Sequence, residues 1–77
     1  MFEKIKVGRQ VFNNLRFIGF STFGDDGFSI IIESEGRKYA ITLGGKVYNI
    51  VERGTQLFAE IPYAGGRVYR APLRFKL

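Results

Sequence analysis

The sequence predicts an all-β fold: a small antiparallel barrel of the OB-like type, with an SH3-like barrel as the runner-up. Three observations lead there. Ten glycines interrupt the 77-residue chain at short intervals. The stretches between them are β-branched and aromatic and alternate with a period of two. No segment carries the 3.6-residue period of an amphipathic helix.

The elements follow in order. Phe2 to Val7 alternates, with Phe2, Lys4 and Lys6 on one face and Glu3, Ile5 and Val7 on the other, until Gly8 breaks it. Val11 to Phe20 is a second strand with a bend or bulge at Asn13-Asn14. Its residues Leu15, Phe17 and Gly19 point one way, and Arg16, Ile18 and Phe20 the other. Gly24-Asp25-Asp26-Gly27 is a hairpin signal, because Asp-Gly supplies the backbone angles of a tight turn. In Phe28 to Ser34 the consecutive Ile30, Ile31 and Ile32 make both faces apolar, as expected of a central strand or one that meets a partner chain. Glu35-Gly36 turns into Lys38 to Leu43, with Tyr39, Ile41 and Leu43 opposite Lys38, Ala40 and Thr42. Gly44-Gly45 leads to Lys46 to Val51, and Arg53-Gly54 to Gln56 to Ile61, stopped by Pro62. After the loop Ala64 to Arg67 the chain continues from Val68 to Pro72, where proline forces an edge, bulge or break. The last strand sets Leu73, Phe75 and Leu77 inward and Arg74 and Lys76 outward. Seven or so strands result, in a meander or a Greek key.

Length confines this to a single domain, residues 1–77, with a thin core. The chain has no cysteine and no histidine, so disulfides and the usual zinc or haem ligands are excluded. No cofactor is expected. Without such staples, self-association is the available support, and a homodimer is expected. No apolar run reaches the ~18 residues of a membrane span, and the first ten residues lack a signal peptide's apolar stretch. An intracellular protein is expected, in the cytoplasm or in a host's cytoplasm if viral.

Charge is distributed unevenly. Residues 1–36 carry four basic and five acidic side chains; residues 37–77 carry eight and two. From Ile61 onward there is no acid, while Arg67, Arg70, Arg74 and Lys76 all lie there. A basic half with interleaved rings points to a polyanionic partner.

Catalysis finds little support. Ser21, Ser29 and Ser34 have only lysine as a base, whereas nucleophilic serine and cysteine ordinarily work with histidine. Asp25 and Asp26 fit a solvated turn tip, and Glu33 and Glu35 a solvated strand face. Gly65-Gly66 follows no strand-to-helix junction and is no phosphate loop. A non-enzymatic protein is expected.

Single-stranded nucleic acid is held by cations on phosphates and by aromatic faces on unpaired bases. Both occur at strand spacing in Arg37-Lys38-Tyr39, Lys46-Val47-Tyr48, Arg67-Val68-Tyr69-Arg70 and Arg74-Phe75-Lys76. All four tyrosines lie in the basic half, where a hydroxyl tolerates water. Phe12, Phe17 and Phe75 read as core.

Further stretches resemble the single-stranded DNA-binding proteins of filamentous phages, the gene V protein family. Gly19-Phe20-Ser21-Thr22-Phe23-Gly24 with Phe28-Ser29 resembles the family's Gly-x-Ser-x-x-Gly stretch and the aromatic and serine that follow it. Tyr39-Ala40-Ile41-Thr42-Leu43 resembles its strand ending Ile-Thr-Leu. Gly54 with Gln56 to Ile61 and Gly65-Gly66 resembles a further strand and loop, and Arg74-Phe75-Lys76-Leu77 its closing strand. The resemblance implies a helix-poor OB-like barrel that dimerises and binds DNA. It assigns Arg16, Phe28, Tyr39, Arg74 and Lys76 to the DNA surface. Two departures stand against it: Asp25-Asp26 at a hairpin tip where the family carries a base, and Thr22 where an arginine would help.

The expected activity is therefore the binding of single-stranded DNA or RNA by phosphate neutralisation and base stacking. Its residues are Arg16, Phe28, Arg37, Lys38, Tyr39, Lys46, Tyr48, Arg67, Tyr69, Arg70, Arg74 and Lys76. Two other functions suit the same basic face: a small phage or viral inhibitor of an acidic protein, and an architectural protein that bends duplex DNA.

Overall fold

The computed structural model describes residues 2–23 and 28–76. They form an all-β domain of eight antiparallel strands: β1 (Phe2–Val7), β2 (Gln10–Thr22), β3 (Phe28–Ser34), β4 (Arg37–Thr42), β5 (Val47–Arg53), β6 (Gln56–Tyr63), β7 (Arg67–Pro72) and β8 (Arg74–Lys76). The only helical element among the described residues is one 3-10 turn, Ala64–Gly66. Hydrogen-bonded neighbours follow the chain from β1 to β7, so the order is that of a meander. The hairpin tip expected at Gly24 to Gly27 lies outside the described residues.

Turn chemistry explains the meander. Gly8 and Gly54 each occupy the first position of a two-residue loop with φ near +60°. This is the place a hairpin's II′ turn reserves for glycine. Glu35-Gly36 joins Ser34 to its partner Arg37 with φ of +51° and +81°. Two positive φ angles define the I′ turn, and Glu35 is held in a backbone region that costs a non-glycine residue about 1 kcal/mol or more.

The last two strands bend the sheet into a barrel-like shape without closing its ladder. β7 pairs with β6; the chain then bends at Leu73 and β8 pairs with β2, Arg74 opposite Thr22 and Lys76 opposite Phe20. The bend is clamped from β6. The Leu73 backbone N–H donates to the Leu57 carbonyl (2.9 Å), and the Gln56 amide donates to the carbonyls of Leu57 (2.9 Å) and Leu73 (3.1 Å). The thirteen-residue β2 thus serves β1 through Gln10 to Leu15 and β8 through Phe20 to Thr22.

Alternation sorts side chains to two faces. The inner face holds Ile31, Ala40, Ala59, Ala71, Phe23 and Leu73, flanked by Ile18, Tyr48, Ile50, Leu57 and Ile61. Much of the buried lining is small: Ala40, Ala59, Ala71, Ser21 and Ser29 are all fully buried. Among the described residues Ile31 is the largest side chain that is fully buried. The hydroxyls of Ser21, Ser29 and Ser34 all bond to backbone carbonyls. Ser29 Oγ donates to the Ser21 carbonyl, Ser21 Oγ to that of Thr22, and Ser34 Oγ to that of Asn13.

The outer face is apolar as well. Phe12, Leu15 and Ile32 are buried there, with Val7, Ile30, Tyr39, Ile41 and Val47 packed around them. The run Ile30-Ile31-Ile32 therefore divides as its alternation requires, Ile31 inward and the other two outward.

One local expectation fails. The register between β2 and β3 shifts between Phe17 and Gly19, so Phe17 pairs with Ile32 while Gly19 pairs with Ile31 and Phe20 with Ile30. The bulge at Ile18 moves Phe20 onto the face of Phe17, reversing the simple parity. At Asn13-Asn14 the expected bend is present, with Asn14 at φ +53° and Phe12 and Leu15, three residues apart, buried in one cluster, while the register with β1 does not shift. Gly19 turns inward, where an added Cβ would lie 3.4 Å from the Phe75 ring.

Candidate nucleic-acid interface

The bulge creates an aromatic platform. Phe17, Phe20 and Phe28 are 53%, 41% and 38% exposed on the outer face. Phe20 and Phe28 stack, with centroids 5.1 Å apart and planes inclined by 23°, and Phe17 meets Phe20 edge-on at 5.1 Å. Phe17 is thus a surface residue and not core, and Phe75 is also partly exposed; Phe12 is core as expected. Of these rings only Phe28 was assigned to the site from sequence. The unequal spacing of Phe17 and Phe20 hid their common face.

Strand β8 borders the platform. One row across the sheet reads Lys76, Phe20, Ile30, Ile41, Val47, and the next reads Arg74, Thr22, Phe28. Residues directly opposite on paired strands share a face. Upstream, Ala71 and Leu73 are buried, so Arg70, Pro72 and Arg74 point outward in alternation. Successive positions of that set lie roughly 6.6 Å apart along the strand.

The other sequence-predicted residues divide into groups. Tyr48 is an interior residue, its ring edge-on to Phe23 at 5.7 Å. This corrects its assignment as a stacker: β5 alternation sends Tyr48 and Ile50 to the inner face. Tyr39 is half-buried against Phe12, with centroids 4.9 Å apart. Arg16 is hydrogen-bonded and ion-paired to Glu33, directly opposite on β3. Lys38 Nζ lies 2.6 Å from Glu52, and Arg70 Nε 3.5 Å from Glu60. These three cations are partly neutralised by their partners. Arg37, Lys46, Arg67 and Arg74 are exposed and have no carboxylate partner among the described residues. Arg67 and Tyr69 stand on the β6–β7 hairpin, and Tyr69 is 54% exposed.

The Arg16 guanidinium bonded to Glu33 holds that carboxyl below its ordinary value. Desolvation opposes this, and the charges of Arg16 and Lys38 add to the lowering. Glu33 therefore stays anionic at neutral pH and keeps Arg16 engaged.

Beside the platform runs an apolar groove of about 270 Å³. Ile5, Val7, Leu15, Phe17, Phe20, Ile30, Ile32 and Ile41 line it, with no polar side chain. Among the described residues no group of three acidic, histidine or cysteine side chains gathers to hold a metal, and no helix is long and apolar enough to cross a membrane.

No family model matches the chain, and no curated protein or solved structure matches it.

Proposed function

We propose that the protein is a non-enzymatic binder of single-stranded nucleic acid. The observation that carries this reading is the stacked, exposed pair Phe20 and Phe28 in register with Arg74 and Lys76. Unpaired bases stack on the rings while phosphates follow the outward residues of β7 and β8. Stacking is indifferent to base identity, because every base has a π-face, so little sequence preference is expected.

Arg74→Ala tests the phosphate track. Affinity for a labelled thymidine oligomer should fall, and to a similar degree for other single-stranded sequences. The slope of log affinity against log salt should shrink by roughly 0.7 for the lost phosphate contact. An unchanged slope removes Arg74 from the interface. Failure of the native protein to bind the oligomer at micromolar concentration and low salt would transfer the basic face to an acidic protein partner. Preference for duplex in competition would favour an architectural role.

We also propose that the protein is a homodimer, with the second copy seated on the β1 side of the groove, at Ile5, Val7 and Leu15, which leaves Phe20 and Phe28 open to the strand. A twofold interface must be self-complementary. This side offers an exposed apolar projection, Ile5, next to a carbon-lined hollow. No charge lines the hollow, so two chains of net charge +5 meet there without burying one. Ile5→Asp should give a monomer by light scattering where the native chain gives a dimer. A monomeric native chain at high micromolar concentration defeats the proposal.

A further inference from the structure

We infer that the outer end of the sheet carries a separate cleft for an unpaired adenine base. The cleft has a volume of about 440 Å³ and lies where the start of β2 meets the β3–β4 turn. Its lining includes Gln10, Asn13, Glu35, Arg37, Phe12 and Tyr39.

Two features distinguish it from the other hollows. First, its hydrogen-bonding groups are unused. Among the described residues no hydrogen bond or ion pair engages the side chains of Gln10 or Arg37; Asn13 accepts from Ser34 through its backbone carbonyl. A cleft of about 390 Å³ between the start of β4 and the end of β5 shares Arg37 and also has an unengaged Asn49, but its other charged groups are taken, Lys38 by Glu52 and Glu60 by Arg70, and no aromatic ring lines it. The apolar groove offers no polar group to a base edge.

Second, the wall and rim are chemically divided. The packed pair Phe12 and Tyr39 forms an aromatic wall, and the half-buried Tyr39 is the ring that reaches the surface. The Gln10 carboxamide, on the same strand face as Phe12, stands at the rim, while Asn13 meets the cleft through its backbone. An asparagine or glutamine amide matches adenine by donating to N7 and accepting from the N6 amine. Arg37 is placed for the phosphate attached to that base. The base would come from a free adenine nucleotide or from a strand; both present the same edge.

The site does not depend on the platform, and the two are separable by experiment. Binding would be measured with labelled oligothymidine, with the same oligomer carrying one adenine, and with adenosine monophosphate followed through the side-chain amide resonances of Gln10. In the native protein the single adenine should raise affinity about 5- to 150-fold over oligothymidine. The variant Gln10→Ala should lose that gain and still bind oligothymidine as the native protein does, with an unchanged melting temperature. If the mononucleotide shifts the amide resonances while neither oligomer binds, the cleft serves free nucleotide and the platform reading falls instead. If adenine brings no gain and the mononucleotide does not move that amide, the inference is overturned, whatever the affinity for oligothymidine.

Discussion

Replacing Ile31 with alanine should lower the melting temperature by at least about 10 °C. Ile31 is fully buried and pairs with Gly19 on one side and Ala40 on the other. Neither neighbour has atoms that can move into the vacated space. Truncating a buried isoleucine costs about 2–5 kcal/mol, most where the site cannot collapse. A chain of this length has in total only about 4–12 kcal/mol of stability, and each kcal/mol moves the transition of so small a domain by about 4–8 °C. Should the alanine variant fail to fold, Ile31→Val keeps the test open with an expected loss of about 0.5–1.5 kcal/mol. The control is Ile30→Ala on the outer face, where the side chain is only half-buried and lines an open groove. Equal losses for the two alanine variants would contradict the division of β3 into an inner and an outer face.

How far the sequence reveals this fold depends on whether the determining signal is local. Turn residues are local, so the glycine-marked breaks and most strands are legible, and so is the opposition of Ile31 to Ile30 and Ile32. The alternation of β5 is equally plain. Its consequence for Tyr48 is not, because the inner face of a strand is defined only by which neighbours close over it. The platform depends on a register shift between two strands, and no residue in β2 announces it. Asn13-Asn14, the more obvious candidate, bears a positive φ at Asn14 without changing the pairing. Ion pairing is also non-local. The partners Glu33, Glu52 and Glu60 lie ten to seventeen residues from Arg16, Lys38 and Arg70. A count of basic residues therefore overstates the positive charge open to a ligand. The exposed position of Arg74 was legible because alternation about a buried Leu73 needs nothing but the strand's own sequence.

Removing the platform should cost more binding than removing any one cation. Phe20→Leu and Phe28→Leu keep bulk and apolarity but abolish the flat face. Each should weaken binding to a thymidine oligomer by about 1–3 kcal/mol, the range for one stacked base. The rings stack on one another at 5.1 Å, so their effects should be coupled. The first substitution also disturbs the second ring, and the double variant should lose less than the sum of the singles. The salt slope should stay at its native value in all three, because no phosphate contact is touched. That separates them from Arg74→Ala, which lowers the slope. Both rings are exposed by about two-fifths, so the melting temperature should change little by comparison with Ile31→Ala. Native affinity in the double variant would show that the platform does not meet bases. If the same variant turned from dimer to monomer at native affinity, the exposed rings would belong to the contact between two copies.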